Sequence, residues 1–335
     1  MNFSEIIGHN FIKESLIDTV KSGKVSHAYI FNGNEGIGKK SLAITFARAI
    51  LCDFFTNDMC EECNSCRLSV NNVHPDLKIV DFTIGEDGKQ KASISVEAIR
   101  QFKQEVYLRP FYKDRKIYIL ENAEKMTVEA QNAMLKIFEE PPSYITIILI
   151  CNGLSKILST IKSRAVIYNF SGLKPKELEK YFDKYYNESG NKDIYSRISD
   201  GSISKMIELI TDEESLPLRK NVLKAFNSII VKHENTSIND LFSVFMKNKD
   251  LKFDIIKLLT VFTMDMAYVK TERFDSLVNI DMKGEIEKAG KFLSVNNIYN
   301  IVNELANLSE QLSKNANYKL AVINSLIKIR EEIHG

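Results

Sequence analysis

A glycine-rich segment near the N-terminus matches a phosphate-binding loop except at one position. Residues 33–41 read GNEGIGKKS against the pattern G-x-x-x-x-G-K-[ST]. In such loops backbone N–H groups face phosphate oxygens, the lysine (here Lys39) meets the outer phosphates, and the final hydroxyl holds Mg²⁺. Lys40 takes the hydroxyl position, and an ammonium has no lone pair for a cation. Ser41 lies about 100° further round the following helix, so we predict that it does not substitute. The loop glycines are Gly33, Gly36 and Gly38.

The second half of a nucleotide site, an acidic pair after an apolar strand, is also altered. Residues 117–120 are Ile-Tyr-Ile-Leu, and Glu121 and Asn122 follow. The first acid of such a pair orients Mg²⁺, and the second polarises the attacking water. Glu121 keeps a carboxylate, but the Asn122 amide cannot accept a proton at neutral pH. The two losses predict a degenerate site that binds nucleotide weakly or not at all and does not hydrolyse ATP alone. The glycines by themselves would leave open a plain turn without a ligand.

Four of the five cysteines fall in one short segment, spaced C-x7-C-x2-C-x2-C. They are Cys52, Cys60, Cys63 and Cys66. A tetrahedral zinc site needs thiolates about 3.7 Å apart, and C-x2-C turns supply that spacing. An iron–sulfur cluster is the main alternative, but its bacterial signature has another cysteine shortly after the run, where this chain has Arg67 and Leu68. Unligated buried thiols are the remaining alternative. The spacing favours structural zinc, with no coordination position left for catalysis.

Arg164 lies between two apolar stretches, residues 146–151 and 165–170, and directly follows Ser163. This position predicts a side chain at the rim of the α/β part of the chain. A forked guanidinium there suits a phosphate on a neighbouring subunit, which is the role of an arginine finger. Taken alone, an arginine beside a serine is far more often an ordinary surface salt-bridge residue than a finger.

Length and composition favour a soluble cytosolic protein of two or three domains. The chain has 335 residues, 44% of them apolar, and a net charge of +1 from 45 basic and 44 acidic side chains. This balance argues against a stand-alone nucleic-acid binder, which usually carries a basic excess. The sequence shows neither an apolar run of membrane-spanning length nor a signal peptide at its start.

The order of apolar and helical patterns divides the chain into three predicted domains. Residues 1–170 alternate as an α/β unit with a parallel sheet, and a zinc-binding insertion occupies residues 52–66. Pro175 suits the first turn of a helix, and residues 171–212 form a small helical domain. Residues 213–335 are helical almost throughout. Strands are predicted at 27–31, 77–82, 116–120 and 146–151, and helices at 40–51, 94–105 and 127–139.

Several long motifs together closely resemble the delta-prime family of bacterial DNA polymerase III clamp-loader subunits. The matching stretches are residues 6–9, 26–29, the glycine loop, the cysteine segment, 116–126, 130–142 and Ser163-Arg164. The resemblance covers nearly the whole chain. It implies an AAA+ P-loop module (an α/β fold with helices on both faces of a parallel sheet), then a small helical lid domain and an all-α C-terminal collar domain that mediates oligomerisation.

The resemblance also implies partners and a role in DNA replication. The subunit would assemble with a delta subunit and with ATP-hydrolysing tau or gamma subunits. The complex loads the sliding clamp onto primed DNA, and delta-prime is its rigid, non-hydrolysing member. Members of the family place the arginine that corresponds to Arg164 against ATP held by the adjacent subunit.

The chain departs from the family pattern at two further places. The usual Ser-Arg-Cys reads Ser163-Arg164-Ala165, and Ser204 stands where ATP-hydrolysing relatives have an arginine after the Gly-Ser turn of the lid. A tau- or gamma-like ATPase motor is the competing function, and Lys40, Asn122 and Ser204 argue against it. A free-standing zinc-dependent DNA-binding protein is disfavoured by the near-neutral charge.

Overall fold

The computed structural model describes residues 2–84, 90–112, 114–186, 191–231, 236–314 and 316–334. Contacts divide the chain into two compact units. The first is Met1–Glu188 with Asp200–Lys205, and the second is Ser189–Ser199 with Met206–Gly335. The predicted division into three domains at residues 170 and 212 stays a prediction.

The first unit is built on a parallel β-sheet, which in the described part of the chain has five strands in the order β2-β3-β4-β1-β5. The strands are β1 (Ala28–Asn32), β2 (Leu77–Val80), β3 (Lys116–Leu120), β4 (Ile145–Cys151) and β5 (Val166–Asn169). Each of the four predicted strands is confirmed to within two residues at either end. The fifth strand, β5, lies in the apolar stretch that follows Arg164.

The helices of the first unit cover both faces of the sheet. They are α1 (Asn10–Lys21), α2 (Lys39–Leu51), α3 (Asn64–Val70), α4 (Val96–Val106), α5 (Val128–Glu139), α6 (Ser159–Lys162), α7 (Pro175–Tyr185) and the first turn of α9 (Ile203–Thr211). Alternate residues of β3 face opposite cores because side chains alternate along a strand. Ile117 and Ile119 pack with α2, whereas Tyr118 and Leu120 pack with α4 and α5. The predicted α/β layering is confirmed.

Local signals in the sequence explain where several helices begin. The hydroxyl of Thr127 accepts a hydrogen bond from the Ala130 amide and caps α5, and Ser95 caps α4 in the same way. Pro175 occupies the first turn of α7, where its missing N–H costs nothing. The helix after the glycine loop begins at Lys39, so Lys40 lies in its first turn.

The second unit is helical in its described residues. Its helices are α8 (Lys192–Ile198), the remainder of α9, α10 (Ser215–Val231), α11 (Thr236–Lys247), α12 (Lys252–Lys270), α13 (Lys283–Phe292), α14 (Val295–Ser313) and α15 (Tyr318–His334). The apolar stripe of α14 is buried at Ile298, Ile301, Leu305, Leu308 and Leu312, as its spacing predicts. Helix α12 lies within the core of this unit, as its nearly uniform apolar character predicts.

A buried polar network holds the segment between α12 and α13. Asp265, fully buried in α12, accepts hydrogen bonds from the Val278 and Asn279 amides at 2.9 and 2.8 Å. Arg219 of α10 donates to both carboxylate oxygens of Asp281 at 2.8 Å and to Asn279 Oδ1 at 2.6 Å. Buried charges of this kind are retained only when they are paired and hydrogen-bonded. The network therefore fixes an irregular segment that apolar packing alone would leave undetermined.

Candidate nucleotide site, cysteine cluster and arginine

The glycine loop lies between β1 and α2, at the carboxyl edge of the sheet. Strands β1 and β4 are neighbours, and β3 lies beside β4, so their carboxyl ends meet there. This edge is the usual ligand position in an open parallel sheet. The structure brings the loop together with Glu121, which follows β3, and with Asn152, which follows β4. The two halves of the predicted nucleotide site therefore share one location.

Lys40 forms an ion pair with Glu121. Its Nζ lies 2.6 Å from Glu121 Oε1, and the side chains are 53% and 20% exposed. The loop position that normally supplies a metal-binding hydroxyl thus directs a positive charge at the carboxylate that normally orients the metal. The ammonium supplies one unit of positive charge and no coordination sites. The ion pair occupies one oxygen of the acid that a Mg²⁺ site would need.

Lys39 is buried and turned back onto its own loop. Its Nζ donates to the carbonyl oxygens of Gly33 and Asn34 and, at 2.9 Å, to Asn152 Oδ1. An ammonium has three N–H donors, so these contacts use its full capacity. Burial lowers the pKa of Lys39. A phosphate would have to replace these contacts before it could bind the lysine.

Asn152 and Glu124 are site residues that the sequence interpretation missed. The Glu124 carboxylate accepts from both the backbone N–H and the side-chain amide of Asn152, each at 3.2 Å. Glu124 thereby orients the amide whose oxygen accepts from Lys39. A polar residue directly after the apolar strand β4 could have been flagged, since carboxyl ends of parallel strands meet at one edge. Glu124 carried no comparable signal.

The side-chain amide of Asn122 contacts Asp81, the residue that directly follows β2. Its Nδ2 donates to Asp81 Oδ2 at 3.0 Å, and its backbone has a positive φ of 55°. Asparagine tolerates this left-handed conformation better than most residues. The Asn122 amide therefore makes a hydrogen bond at the position where an ATP-hydrolysing site would carry its catalytic carboxylate.

The segment around Ser204 covers the tip of the glycine loop. The backbone N–H groups of Ile203 and Ser204 donate to the Gly36 carbonyl oxygen at 2.8 and 3.4 Å. His9 contributes from another side, because its Nε2–H donates to the Ile37 carbonyl oxygen at 2.8 Å. Ser41 lies half-buried one residue beyond Lys40 in α2. The tip of the loop is thus held by two backbone N–H groups of the turn that carries Ser204 and by the His9 ring.

Replacing Gly36 by alanine is expected to release this covering segment. Gly36 has φ +76°, and a Cβ there would overlap Ser202 Oγ and lie 2.8 Å from Ser204 Cβ. Gly38→Ala is the matched control, because its φ is +97° but no heavy atom of the described residues lies within 4 Å of the added Cβ. Both variants carry left-handed strain of about 1–2 kcal/mol. Only Gly36→Ala adds overpacking, of about 1–3 kcal/mol.

The measurement is hydrogen exchange of the Ile203 and Ser204 amides, together with the urea midpoint of each variant. Faster exchange is expected in Gly36→Ala than in Gly38→Ala. Equal exchange rates in the two variants would show that the contact of Ile203 and Ser204 with the loop does not require glycine at position 36.

The four predicted cysteines converge on one point. Their Sγ atoms all lie within 4.8 Å of one another, with Cys52–Cys60 at 3.5 Å and Cys60–Cys66 at 3.9 Å. Backbone N–H groups of Cys60, Cys63 and Cys66 each approach a preceding cysteine sulfur at 3.4 Å. Such donors stabilise thiolates. The four cysteines could therefore bind a metal ion.

The thiols differ in their ease of ionisation. Burial opposes ionisation of Cys60, but backbone N–H donors from Cys63 and Glu62, together with side-chain hydrogen bonds to Cys52 and Cys63, outweigh it and lower its pKa to about 6. Burial raises the pKa of the Cys66 thiol. His74 uses both ring nitrogens elsewhere, since Nε2 donates to Ser65 Oγ at 3.0 Å and Nδ1 accepts from the Asp76 amide at 3.1 Å. His74 is thus engaged elsewhere, and the four sulfurs remain the candidate ligand set.

The cysteine segment also packs onto the N-terminus. Cys52, Cys63 and Cys66 belong to the same buried cluster as Phe3. The Asp58 carboxylate accepts from the Phe3 and Ser4 backbone N–H groups at 3.1 and 3.2 Å. A metal bound here would cross-link this cluster and hold the chain start against α2.

Arg164 lies at the surface two residues beyond α6, beside Ser163. Its Nη1 donates to the Thr160 carbonyl oxygen at 3.0 Å and to Ser163 Oγ at 3.4 Å. Its Nη2 lies 3.2 Å from Glu139 Oε1, with side-chain exposures of 37% and 51%. The guanidinium is therefore partly exposed at the rim of the α/β unit, and three contacts with its own chain hold it in place.

Together the glycine loop between β1 and α2, the acid after β3 and the parallel sheet define an AAA+ P-loop module. Helical regions follow it in the chain. None of the described helices is both long and apolar enough to cross a membrane.

Comparisons with known proteins assign the family. A model described as DNA polymerase III, delta subunit matches residues 8–174, and one described as DNA polymerase III, delta subunit, C terminal matches residues 213–331. The DNA polymerase III subunit delta' of Bacillus subtilis (strain 168) is 24% identical over 324 residues, covering 96% of this chain and 95% of that protein. The subunit gamma of Buchnera aphidicola subsp. Schizaphis graminum is 23% identical over 342 residues, covering 99% and 90%.

Among solved structures, a DNA polymerase III gamma subunit-related protein from Thermotoga maritima aligns with a TM-score of 0.48 and 19% identity, covering 96% of this chain and 99% of that one. The two family models together span most of the chain. The chain therefore belongs to the DNA polymerase III clamp-loader family that contains delta-prime, gamma and tau subunits. The family predicted from the sequence motifs is confirmed.

Proposed function

We propose that this chain is the non-hydrolysing, delta-prime-type subunit of a DNA polymerase III clamp loader. It would assemble with delta and tau or gamma subunits, and the assembled complex would load the sliding clamp onto primed DNA. The observation that carries the proposal is the Lys40–Glu121 ion pair, because it sets an ammonium against the carboxylate that would orient Mg²⁺. A tau- or gamma-like motor is the second candidate, since gamma of Buchnera aphidicola aligns over nearly the whole chain.

Three features of the nucleotide site support the non-hydrolysing role. The Lys39 donors are taken by the loop and Asn152, the Asn122 amide donates to Asp81, and Ser204 stands where ATP-hydrolysing relatives have a lid arginine. Each feature removes a different contribution: phosphate binding, activation of water, and stabilisation of charge on the phosphate. We expect the isolated chain to show no ATP hydrolysis at motor-like rates. Turnover at such rates would reject the proposal in favour of the motor.

Within the loader, Arg164 would take part in ATP hydrolysis at the site of the neighbouring subunit. Its guanidinium is partly exposed and presents a planar fork of donors suited to phosphate oxygens. The role of arginine finger, with Ser163 beside it, is supported by the position of both residues after α6 and by the matching motif in the sequence. The chain would then contribute to catalysis in trans without turning over nucleotide itself.

We further propose that Cys52, Cys60, Cys63 and Cys66 hold a structural Zn²⁺. Four thiolates match the preference of zinc for sulfur and leave no position for water or substrate. The metal would supply a cross-link between the end of α2 and the start of α3. Its role would be stability of the first unit.

Replacing Lys40 by serine is expected to restore Mg²⁺-dependent nucleotide binding without restoring hydrolysis. The change frees Glu121 and puts a hydroxyl ligand in the expected position, while Asn122 remains unable to accept a proton. ATP affinity measured by calorimetry should be roughly tenfold tighter with Mg²⁺ than with EDTA, a difference of ~1.4 kcal/mol.

Lys40→Ala is the matched control, because it frees Glu121 without supplying a hydroxyl, and a smaller dependence on Mg²⁺ is expected. Wild-type chain should show no such dependence. If Lys40→Ser is as insensitive to Mg²⁺ as the wild type, the ion pair is not what disables the metal site.

A further inference from the structure

The guanidinium of Arg164 is held in place by its own chain at three points. Nη1 contacts the Thr160 carbonyl oxygen at 3.0 Å and Ser163 Oγ at 3.4 Å, and Nη2 lies 3.2 Å from Glu139 Oε1. Thr160 and Ser163 are near neighbours of Arg164 in sequence, so they belong to the same segment and move with it. Glu139 is different, because it belongs to α5 and approaches from a separate helix. It is the long-range anchor of this side chain.

The surroundings of Arg164 favour a cation even without the carboxylate. Glu139 is the last residue of α5, and Thr160 lies in the short helix α6. The last carbonyl groups of a helix carry partial negative charge. The Thr160 carbonyl oxygen accepts a hydrogen bond from Nη1, and Glu139 adds a full charge and a directional hydrogen-bond acceptor. Glu139 thus sets the direction in which the planar group faces.

We propose that Glu139 is a positioning residue for Arg164, holding its guanidinium in one orientation before a phosphate of the neighbouring subunit arrives. This inference rests on the finger role proposed above. A guanidinium has five N–H donors, and the described contacts use both Nη1 hydrogens and one Nη2 hydrogen. Nε and the second Nη2 hydrogen remain for an incoming phosphate oxygen.

The benefit of such an anchor is entropic. A long side chain that is already oriented loses less freedom when it makes its contact in the transition state. Both side chains are substantially exposed, so the ion pair itself is weak. The expected effect on rate is correspondingly modest, and it falls on the turnover step and leaves the affinity for ATP unchanged.

The test is ATP hydrolysis by a loader reconstituted with delta and tau or gamma subunits of the same organism. In single-turnover measurements, Glu139→Ala is expected to lower the rate constant at the one site that Arg164 would face about two- to fivefold, which converts to ~0.4–1 kcal/mol, with the affinity for ATP unchanged. Glu139→Gln keeps an oxygen acceptor in the same place and is expected to stay within about twofold of wild type. Glu140→Ala removes the adjacent exposed carboxylate and serves as the matched control.

Combining Glu139→Ala with Arg164→Ala separates this inference from the finger role. If Glu139 acts through Arg164, the double variant should match Arg164→Ala alone, because the two effects are coupled. A loss of activity in Arg164→Ala, with Glu139→Ala at wild-type or higher activity, would overturn the positioning role only. The positioning role would also be overturned if the rate losses of Glu139→Ala and Arg164→Ala multiply in the double variant, because independent effects multiply. Full activity in Arg164→Ala would instead reject the finger role itself.

Discussion

Replacing Arg164 by alanine is expected to abolish rapid hydrolysis at the one ATP site that this residue would face. Arginine fingers contribute about 10³- to 10⁵-fold to turnover, because they stabilise charge on the transferred phosphoryl group. In a single-turnover experiment on the reconstituted loader, the fraction of ATP hydrolysed in the fast phase should fall by the share of that site. The rate at the other sites should be retained.

Assembly of the complex is expected to survive this change. Arg164 is partly exposed, and its ion pair with Glu139 is a surface interaction worth ~0–1 kcal/mol. Arg164→Lys keeps the charge and loses the planar fork, so it should be nearly as slow as Arg164→Ala. Gel filtration of each reconstituted complex is the control. An unchanged fast phase in a fully assembled Arg164→Ala loader would remove the finger role.

Replacing Cys66 by serine is expected to abolish metal binding and to destabilise the first unit severely. Cys66 is 1% exposed and belongs to the cluster that contains Phe3 and Phe46. Structural zinc contributes ~10–16 kcal/mol of apparent binding free energy in small zinc-finger peptides, so losing even part of it should cost more than about 4 kcal/mol of unfolding free energy. The expected results are zinc well below one ion per chain and early proteolysis within residues 52–66.

Cys151→Ser is the matched control for this experiment. Cys151 is also 1% exposed, but it lies in β4, where its Sγ is 3.6 Å from Asn32 Oδ1. This variant should keep about one zinc per chain, because the four-thiolate set is intact. Zinc content that is already well below one per chain in the wild-type protein would contradict the zinc assignment, whatever the variants show.

Much of the α/β unit was predictable because its signals are local. Apolar runs such as residues 116–120 and 146–151 read as buried parallel strands, and Thr127 and Pro175 mark helix starts by their own chemistry. The cysteine cluster was predictable for the same reason, since C-x2-C spacing places sulfurs together within a few residues. The glycine loop and the family motifs likewise needed no knowledge of distant contacts.

The partners of the charged and polar side chains could not be predicted in this way. Lys40 and Glu121 are far apart in sequence, and only the order of strands in the sheet brings them to 2.6 Å. The anchoring of Arg164 by Glu139 and the burial of Asp265 depend in the same way on helices that meet in the folded chain.

The sequence by itself thus determined which chemical groups this protein keeps and which it lacks: a lysine in place of a metal-binding hydroxyl, an amide in place of a base, and four thiols at zinc spacing. Tertiary structure alone decided which of those groups meet. The physical reason is that backbone propensity and side-chain periodicity act over a few residues, whereas ion pairs and buried hydrogen bonds are selected by the packing of distant segments.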